Sequence, residues 1–141
     1  MAFICPNNVL FECNRCGLCC GDTEEKTRCI LLLESEAAEI SVQTGLPKEA
    51  FTKPTPKKEP YQFEVKKFSN GKCYFLKDNQ CGIYELRPLI CRFYPFKLTF
   101  DCNQNQHVFG FTCECPQIGR GKVVSKRDFD ALFLLAQQRL P

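Results

Sequence analysis

At 141 residues the chain has room for one compact domain. With 44% hydrophobic and 25% charged residues it has a globular composition, which excludes a disordered chain, and no apolar run approaches the roughly 18–20 residues that cross a bilayer. The formal charge of +3 is modest for a chain of this length and is not read as a sign of nucleic-acid binding.

Residues 1–29 hold six of the 12 cysteines, with Gly17 and Gly21, and show neither helical nor strand periodicity. The apolar run Ile30-Leu31-Leu32-Leu33 follows. A helix is predicted over about Glu34 to Thr44, capped by Ser35 or Glu34, with acidic residues in its first turn, Gly45 at its end and Pro47 beyond. Pro47 to Phe51 can form a short second turn. Residues 52–60 are polar and rich in proline and predict a connection. Tyr61 to Val65 alternates and predicts a strand. Cys73 to Leu76, then Lys77 to Gln80, predict strand and turn. Pro88 can open a short helix through Cys91 and Phe93. Phe96 to Phe100 and His107 to Phe111 flank a polar turn and predict a hairpin.

The last element is the most regular. Ser125-x-x-Asp128 reads as the start of a helix, and Phe129, Leu132, Phe133, Ala136 and Leu140 recur at helical spacing, a stripe suited to core packing. Together these elements predict an α+β fold. The expected architecture is a small cysteine-rich, metal-stapled single domain over residues 1–141, with a few short helices, a β-hairpin and a C-terminal amphipathic helix over about 125–140.

Cysteine is the compositional outlier. The N-terminus, Met1-Ala2-Phe3-Ile4-Cys5-Pro6, has no basic n-region and no long apolar h-region, so a reducing, cytoplasmic location is expected. There dense cysteine points to metal or redox chemistry rather than disulfides. Thiolates are soft ligands suited to zinc, copper(I) and iron–sulfur clusters. Cys13, Cys16 and Cys19 are each three apart, a spacing like that of the loop around a cubane cluster in ferredoxins. Cys20 adds a constraint. Adjacent side chains diverge, so Cys19 and Cys20 do not readily share one tetrahedral ion. One of them binds a second metal, bridges two metals, or reacts. Downstream lie Cys73, Cys81 and Cys91, with Arg87 and Arg92 placed to offset thiolate charge, and then Cys113-Glu114-Cys115-Pro116.

The set Cys13-x-x-Cys16-Gly17-x-Cys19-Cys20, Cys73-x-Phe75-Leu76, Cys81-x-Ile83-Tyr84-Glu85-x-Arg87-Pro88-x-x-Cys91-Arg92 and a late cysteine resembles the YkgJ family of cysteine-cluster proteins, the CxxCxxCC zinc- or iron-chelating domain. The resemblance spans about residues 11–120. It implies Cys13, Cys16, Cys19, Cys20, Cys73, Cys81, Cys91 and one of Cys113 or Cys115 as cofactor and metal ligands, with Cys115 preferred because Cys-Pro followed by glycines matches the family's last motif. Eight thiolates suffice for two four-thiolate sites. Cys5, Cys29 and Cys102 lie outside the pattern.

The expected cofactor is an iron–sulfur cluster, one or two of the 4Fe-4S type, with zinc as the alternative. The expected role is electron transfer or cluster carriage beside a protein partner, either a redox partner or a larger complex, with neither membrane nor nucleic acid engaged. A structural zinc module for protein interaction and a cluster-dependent methyl-transfer or redox enzyme are the other readings. No G-x-G-x-x-G or P-loop run is present, so no catalytic motif is recognisable beyond the cysteines. Cys16→Ser is expected to lose bound metal and to lower the unfolding temperature together, because metal-binding energy is folding energy in such domains. Elemental analysis beside a thermal melt checks this, and full metal content in the variant would contradict the ligand assignment.

Overall fold

A computed structural model describes residues 3–13, 21–22, 27–78, 80–112, 115 and 117–140. In chain order the elements are β1 (Phe3–Ile4), β2 (Leu31–Leu32), α1 (Glu34–Thr44), α2 (Lys48–Phe51), β3 (Thr52–Pro54), β4 (Phe63–Val65), β5 (Leu76–Lys77), β6 (Gln80–Cys81), a 3₁₀ turn at Tyr84–Leu86, α3 (Leu89–Phe93), β7 (Phe96–Asp101), β8 (Gln106–Phe111) and α4 (Lys126–Arg139). Helices and strands are both present, as an α+β fold requires. Among the described residues no helix is long and apolar enough to cross a membrane. The chain divides into two compact units, Met1–Asn14 with Phe93–Gln137, and Arg15–Arg92 with Gln138–Pro141.

The first unit is built on rings. β7 and β8 form the expected antiparallel hairpin, and β1 adds to β8 in parallel. Residues directly opposite in an antiparallel pair share a face. The pairs Phe96↔Phe111, Leu98↔Phe109 and Phe100↔His107 therefore make one apolar face. Helix α4 lies on it. The ring of Phe129 meets Phe96 at 5.1 Å and Phe109 at 4.9 Å between centroids, and Phe133 meets Phe3 at 5.0 Å. The helix begins as its sequence suggests: Asp128 Oδ2 accepts the Ser125 N–H at 2.8 Å, and Ser125 Oγ accepts the Asp128 N–H at 3.3 Å. Of the predicted stripe, Phe129, Phe133 and Ala136 are buried, while Leu132 and Leu140 are half-buried.

The second unit packs around Ile30, Leu32, Ala37, Ile40, Phe51, Val65, Phe75, Ile83 and one cysteine, Cys73. The run at 30–33 supplies β2, and the sheet order is β2-β4-β3, all antiparallel. Three details differ from the sequence reading. Cys73 to Leu76 forms a turn closed by Leu76 N–H on Cys73 O, with strand only at Leu76–Lys77. The start of the proline-rich stretch is not loop: Thr52–Pro54 pairs with β4 as an edge strand, where the missing N–H of Pro54 removes no central ladder bond. The cap of α1 is neither Ser35 nor Glu34 but Leu33, whose N–H donates to Glu36 Oε1 at 3.0 Å. The helix ends on Gly45 at φ +75°, with its N–H on Ser41 O, as predicted.

Phe129 is fully buried at the centre of the ring cluster. Phe129→Ala is expected to destabilise the protein by roughly 3–5 kcal/mol through lost transfer energy and the cavity left behind. Denaturant unfolding would measure this as a lower midpoint.

Candidate metal centre

The predicted ligands fall in both units. Cys16, Cys19 and Cys20, and also Cys113, lie outside the described residues. Cys13 and Cys115 are in the first unit, and Cys73, Cys81 and Cys91 in the second. Among the described residues alone, no three Cys, His, Asp or Glu side chains converge as a metal-holding group.

Within the first unit, the chain entering Cys13 is tied to the chain leaving Cys115. Phe11 N–H donates to Lys122 O at 2.9 Å, Gly119 N–H to Leu10 O at 2.7 Å and Val124 N–H to Val9 O at 2.8 Å. Residues 117–120 turn after Cys115, with Ile118 N–H on Cys115 O. Gly121 is at φ +86°, and a Cβ there would lie 2.6 Å from Glu12 Cβ, so the approach of these segments depends on glycine.

Within the second unit, Cys73, Cys81 and Cys91 all belong to one apolar neighbourhood. Cys73 is a buried member of the core, and Cys81 and Cys91 pack against that core half-buried. A tight turn places the first two: Leu76 N–H donates to Cys73 O at 2.9 Å, Leu76 pairs with Cys81 across the β5–β6 hairpin, and Gly82 N–H returns to Phe75 O. Helix α3 carries the third, with Cys91 and Arg92 N–H groups both on Pro88 O.

The exit of the cysteine run is fixed against this neighbourhood. Gly21, next in sequence to Cys20, bridges Lys72, next to Cys73. Gly21 is at φ +126°. A Cβ there would overlap Gly71 O and sit 2.7 Å from Lys72 Cα and 3.0 Å from Cys73 N. Asp22 then ties the crossing down. Its N–H donates to Gly71 O at 2.9 Å, its Oδ1 accepts from Lys67 Nζ at 2.8 Å and from Arg28 N–H at 2.9 Å, and its carbonyl accepts from Lys72 Nζ at 2.9 Å. The hydrogen bond from Lys67, followed by that from Arg28 N–H, holds the Asp22 carboxyl below its ordinary range, and the same Lys67–Asp22 bond raises the lysine.

Sequence reading overlooked Asp22, Lys67 and Glu36. The available signal was position, since Gly21-Asp22 follows the four-cysteine run at once. Three further side chains have defined partners. Arg87 Nε donates to Tyr84 O, and Arg92 donates from Nε to Arg87 O and from Nη2 to Glu85 O, so both organise the backbone of their own motif. Burial, then the neighbouring Arg139 and Arg87, lowers the pKa of Arg92. His107 sits edge-on to Phe100 at 5.0 Å and Phe133 at 5.2 Å, as a packed ring. Cys102 is exposed in the β7–β8 turn, Cys29 is exposed and Cys5 is half-buried.

The donor chemistry fits a soft metal: thiols set at one apolar core, beside a glycine crossing that leaves no room for a side chain. In comparison with known proteins, residues 12–116 match the CxxCxxCC family, described as a "putative zinc- or iron-chelating domain". An uncharacterized protein of Methanocaldococcus jannaschii is 33% identical over 95 residues, covering 65% of this chain and 48% of that protein. The chain thus spans about half the length of this curated relative. No solved structure matches.

Gly21→Ala is expected to cost roughly 1–3 kcal/mol of stability, since both the positive φ and the backbone contacts oppose a Cβ. Urea unfolding with parallel metal analysis reads it. An unchanged midpoint would show that the crossing relaxes freely.

Proposed function

We propose that this chain, which belongs to the CxxCxxCC family, holds iron as an iron–sulfur cluster through Cys13, Cys16, Cys19, Cys20, Cys73, Cys81, Cys91 and Cys115, and carries electrons or the cluster itself to a protein partner. The observation that carries the choice of a cluster is the apolar setting of the downstream cysteines. Cys73 lies in a core with Phe75 and Phe51, whose rings are 5.2 Å apart, and Tyr74 meets Phe75 at 5.1 Å. Such a shell limits solvent at a cluster and sets its potential. The three-residue spacing of Cys13, Cys16 and Cys19 suits a cubane. Eight thiolates suffice for two four-thiolate sites, and two sites would give the adjacent Cys19 and Cys20 separate metals to serve. When bound, the cluster supplies reversible one-electron transfer. The chain's own residues supply thiolates, backbone donors and exclusion of water.

Anaerobic purification followed by iron, zinc and acid-labile sulfide analysis tests this. Iron and sulfide in near-equal amounts are expected, with a broad visible absorption that bleaches on reduction. A colourless protein containing zinc and no sulfide would replace this reading with the structural zinc one.

A further inference from the structure

Glu36 is an acidic side chain of the second unit that joins three separate segments, the start of α1, the start of α3 and Arg139. Its carboxylate side chain is only 4% exposed. Oε1 accepts the Leu33 N–H at 3.0 Å, which closes the start of α1. Oε2 accepts the Leu89 N–H at 2.6 Å and Arg139 Nη1 at 2.9 Å. Leu89 is the first residue of α3, two positions before Cys91. Arg139 also reaches the carbonyl of Arg87 at 3.4 Å, on the other side of Pro88. One carboxylate and one guanidinium therefore hold both ends of the Arg87-Pro88-Leu89 step that sets the direction of α3. The neighbouring Arg92 and Arg87 are engaged elsewhere: Arg92 rests on the carbonyls of Glu85 and Arg87, and Arg87 Nε rests on Tyr84 O with its guanidinium over the Tyr84 ring at 3.8 Å. Without Glu36, the Leu89 N–H and the Arg139 guanidinium would each lose a charged acceptor in a partly dry site.

We infer that the Glu36–Arg139 pair is the positioning device for Cys91, fixing the α3 start so that this thiolate is presented to the metal. Neither residue touches the cofactor in this account, and both act through Leu89 and Arg87. The inference rests on the reading of Cys91 as a ligand. Outer residues that orient ligands typically change metal retention by roughly 10–100-fold when altered, and that is the effect expected of Glu36→Gln. Gln keeps the size and one acceptor but removes the charge and turns an N–H₂ toward donors.

The test compares wild type and Glu36→Gln, as purified with native metal and below the thermal transition, in two measurements. One is the rate at which a chelator removes metal. The other is native-state alkylation by iodoacetamide, resolved by mass spectrometry at Cys73, Cys81 and Cys91. Positioning predicts faster metal loss and a rise in alkylation at Cys91 about tenfold greater than at Cys73 and Cys81, because a local opening exposes one segment before its neighbours. An equal rise at all three cysteines, or no change, overturns it and leaves Glu36 as a general stabiliser. If Glu36→Gln fails to fold, Arg139→Lys, a milder change at a partly exposed residue, is read by the same criterion. If wild type binds no metal, the proposed function fails on its own, and the alkylation pattern still decides whether Glu36 governs Cys91.

Discussion

The close crossing of two backbones at Gly21 and Lys72 is the constraint around which the second unit is arranged. A β-bridge between residues 51 apart in sequence has to overcome the entropy of closing that loop, and it does so here with several bonds in a small space. Gly21 provides the clearance, at a φ that L side chains rarely adopt. Asp22 provides the bonds, with its carboxylate joining Lys67 and the Arg28 amide on one atom. The pairing links the chain beside Cys20 to the chain beside Cys73. From there the Cys73–Leu76 turn and the β5–β6 hairpin carry the geometry on to Cys81 without long connections. Each step is local, so an error at the crossing would be passed along the series.

Charge is handled differently in the two halves of that neighbourhood. At Asp22 the groups are partly exposed, and the ion pair with Lys67 is screened; its value lies in fixing geometry more than in energy. At Glu36 the carboxylate is buried, and its attraction to Arg139 must compete with desolvation of both groups. Backbone donors from Leu33 and Leu89 tip that balance, because they satisfy the carboxylate without adding charge. A buried ion pair completed by amides is a poor source of net stability but a good source of a single arrangement. An apolar replacement at residue 36 could pack the same space and would leave the start of α3 without a fixed direction.

What the sequence made legible follows from which signals are local. Helix α4 and the β7–β8 hairpin were readable because capping and periodicity reside in adjacent residues: Ser125 with Asp128, and the ring stripe at Phe129 and Phe133. The C-terminus of α1 was readable from Gly45. The α1 cap was not, because Leu33 offers no side-chain acceptor and the carboxylate that meets its N–H lies three residues on. Strand β3 was hidden by Pro54 and by lysines, which read as loop until a partner strand is known. The cysteines were conspicuous, yet the residues that orient them were not. Glu36 bonds to groups 53 and 103 positions away, and Asp22 to lysines 45 and 50 away, and no single sequence shows such pairings.

The two cores differ in what they are made of, and the difference bears on what metal would do. In the first unit Phe3, Phe96, Phe109, Phe129 and Phe133 bury one another, and ring packing of this kind needs no ligand to hold it. In the second unit a cysteine occupies a place in the core itself, and two more lie at its edge. A buried thiol packs tolerably as a small apolar group, but as a thiolate it requires a counter-charge. Bound metal would supply that charge from inside the core, and its loss would leave either a protonated thiol that still packs or an anion that does not. Under the cluster reading, the second unit's core therefore senses metal directly, whereas the first unit's ring core has no such dependence. Hydrogen exchange with and without metal would separate the two, with protection lost at Val65 and Phe75 and retained at Phe109 and Phe129.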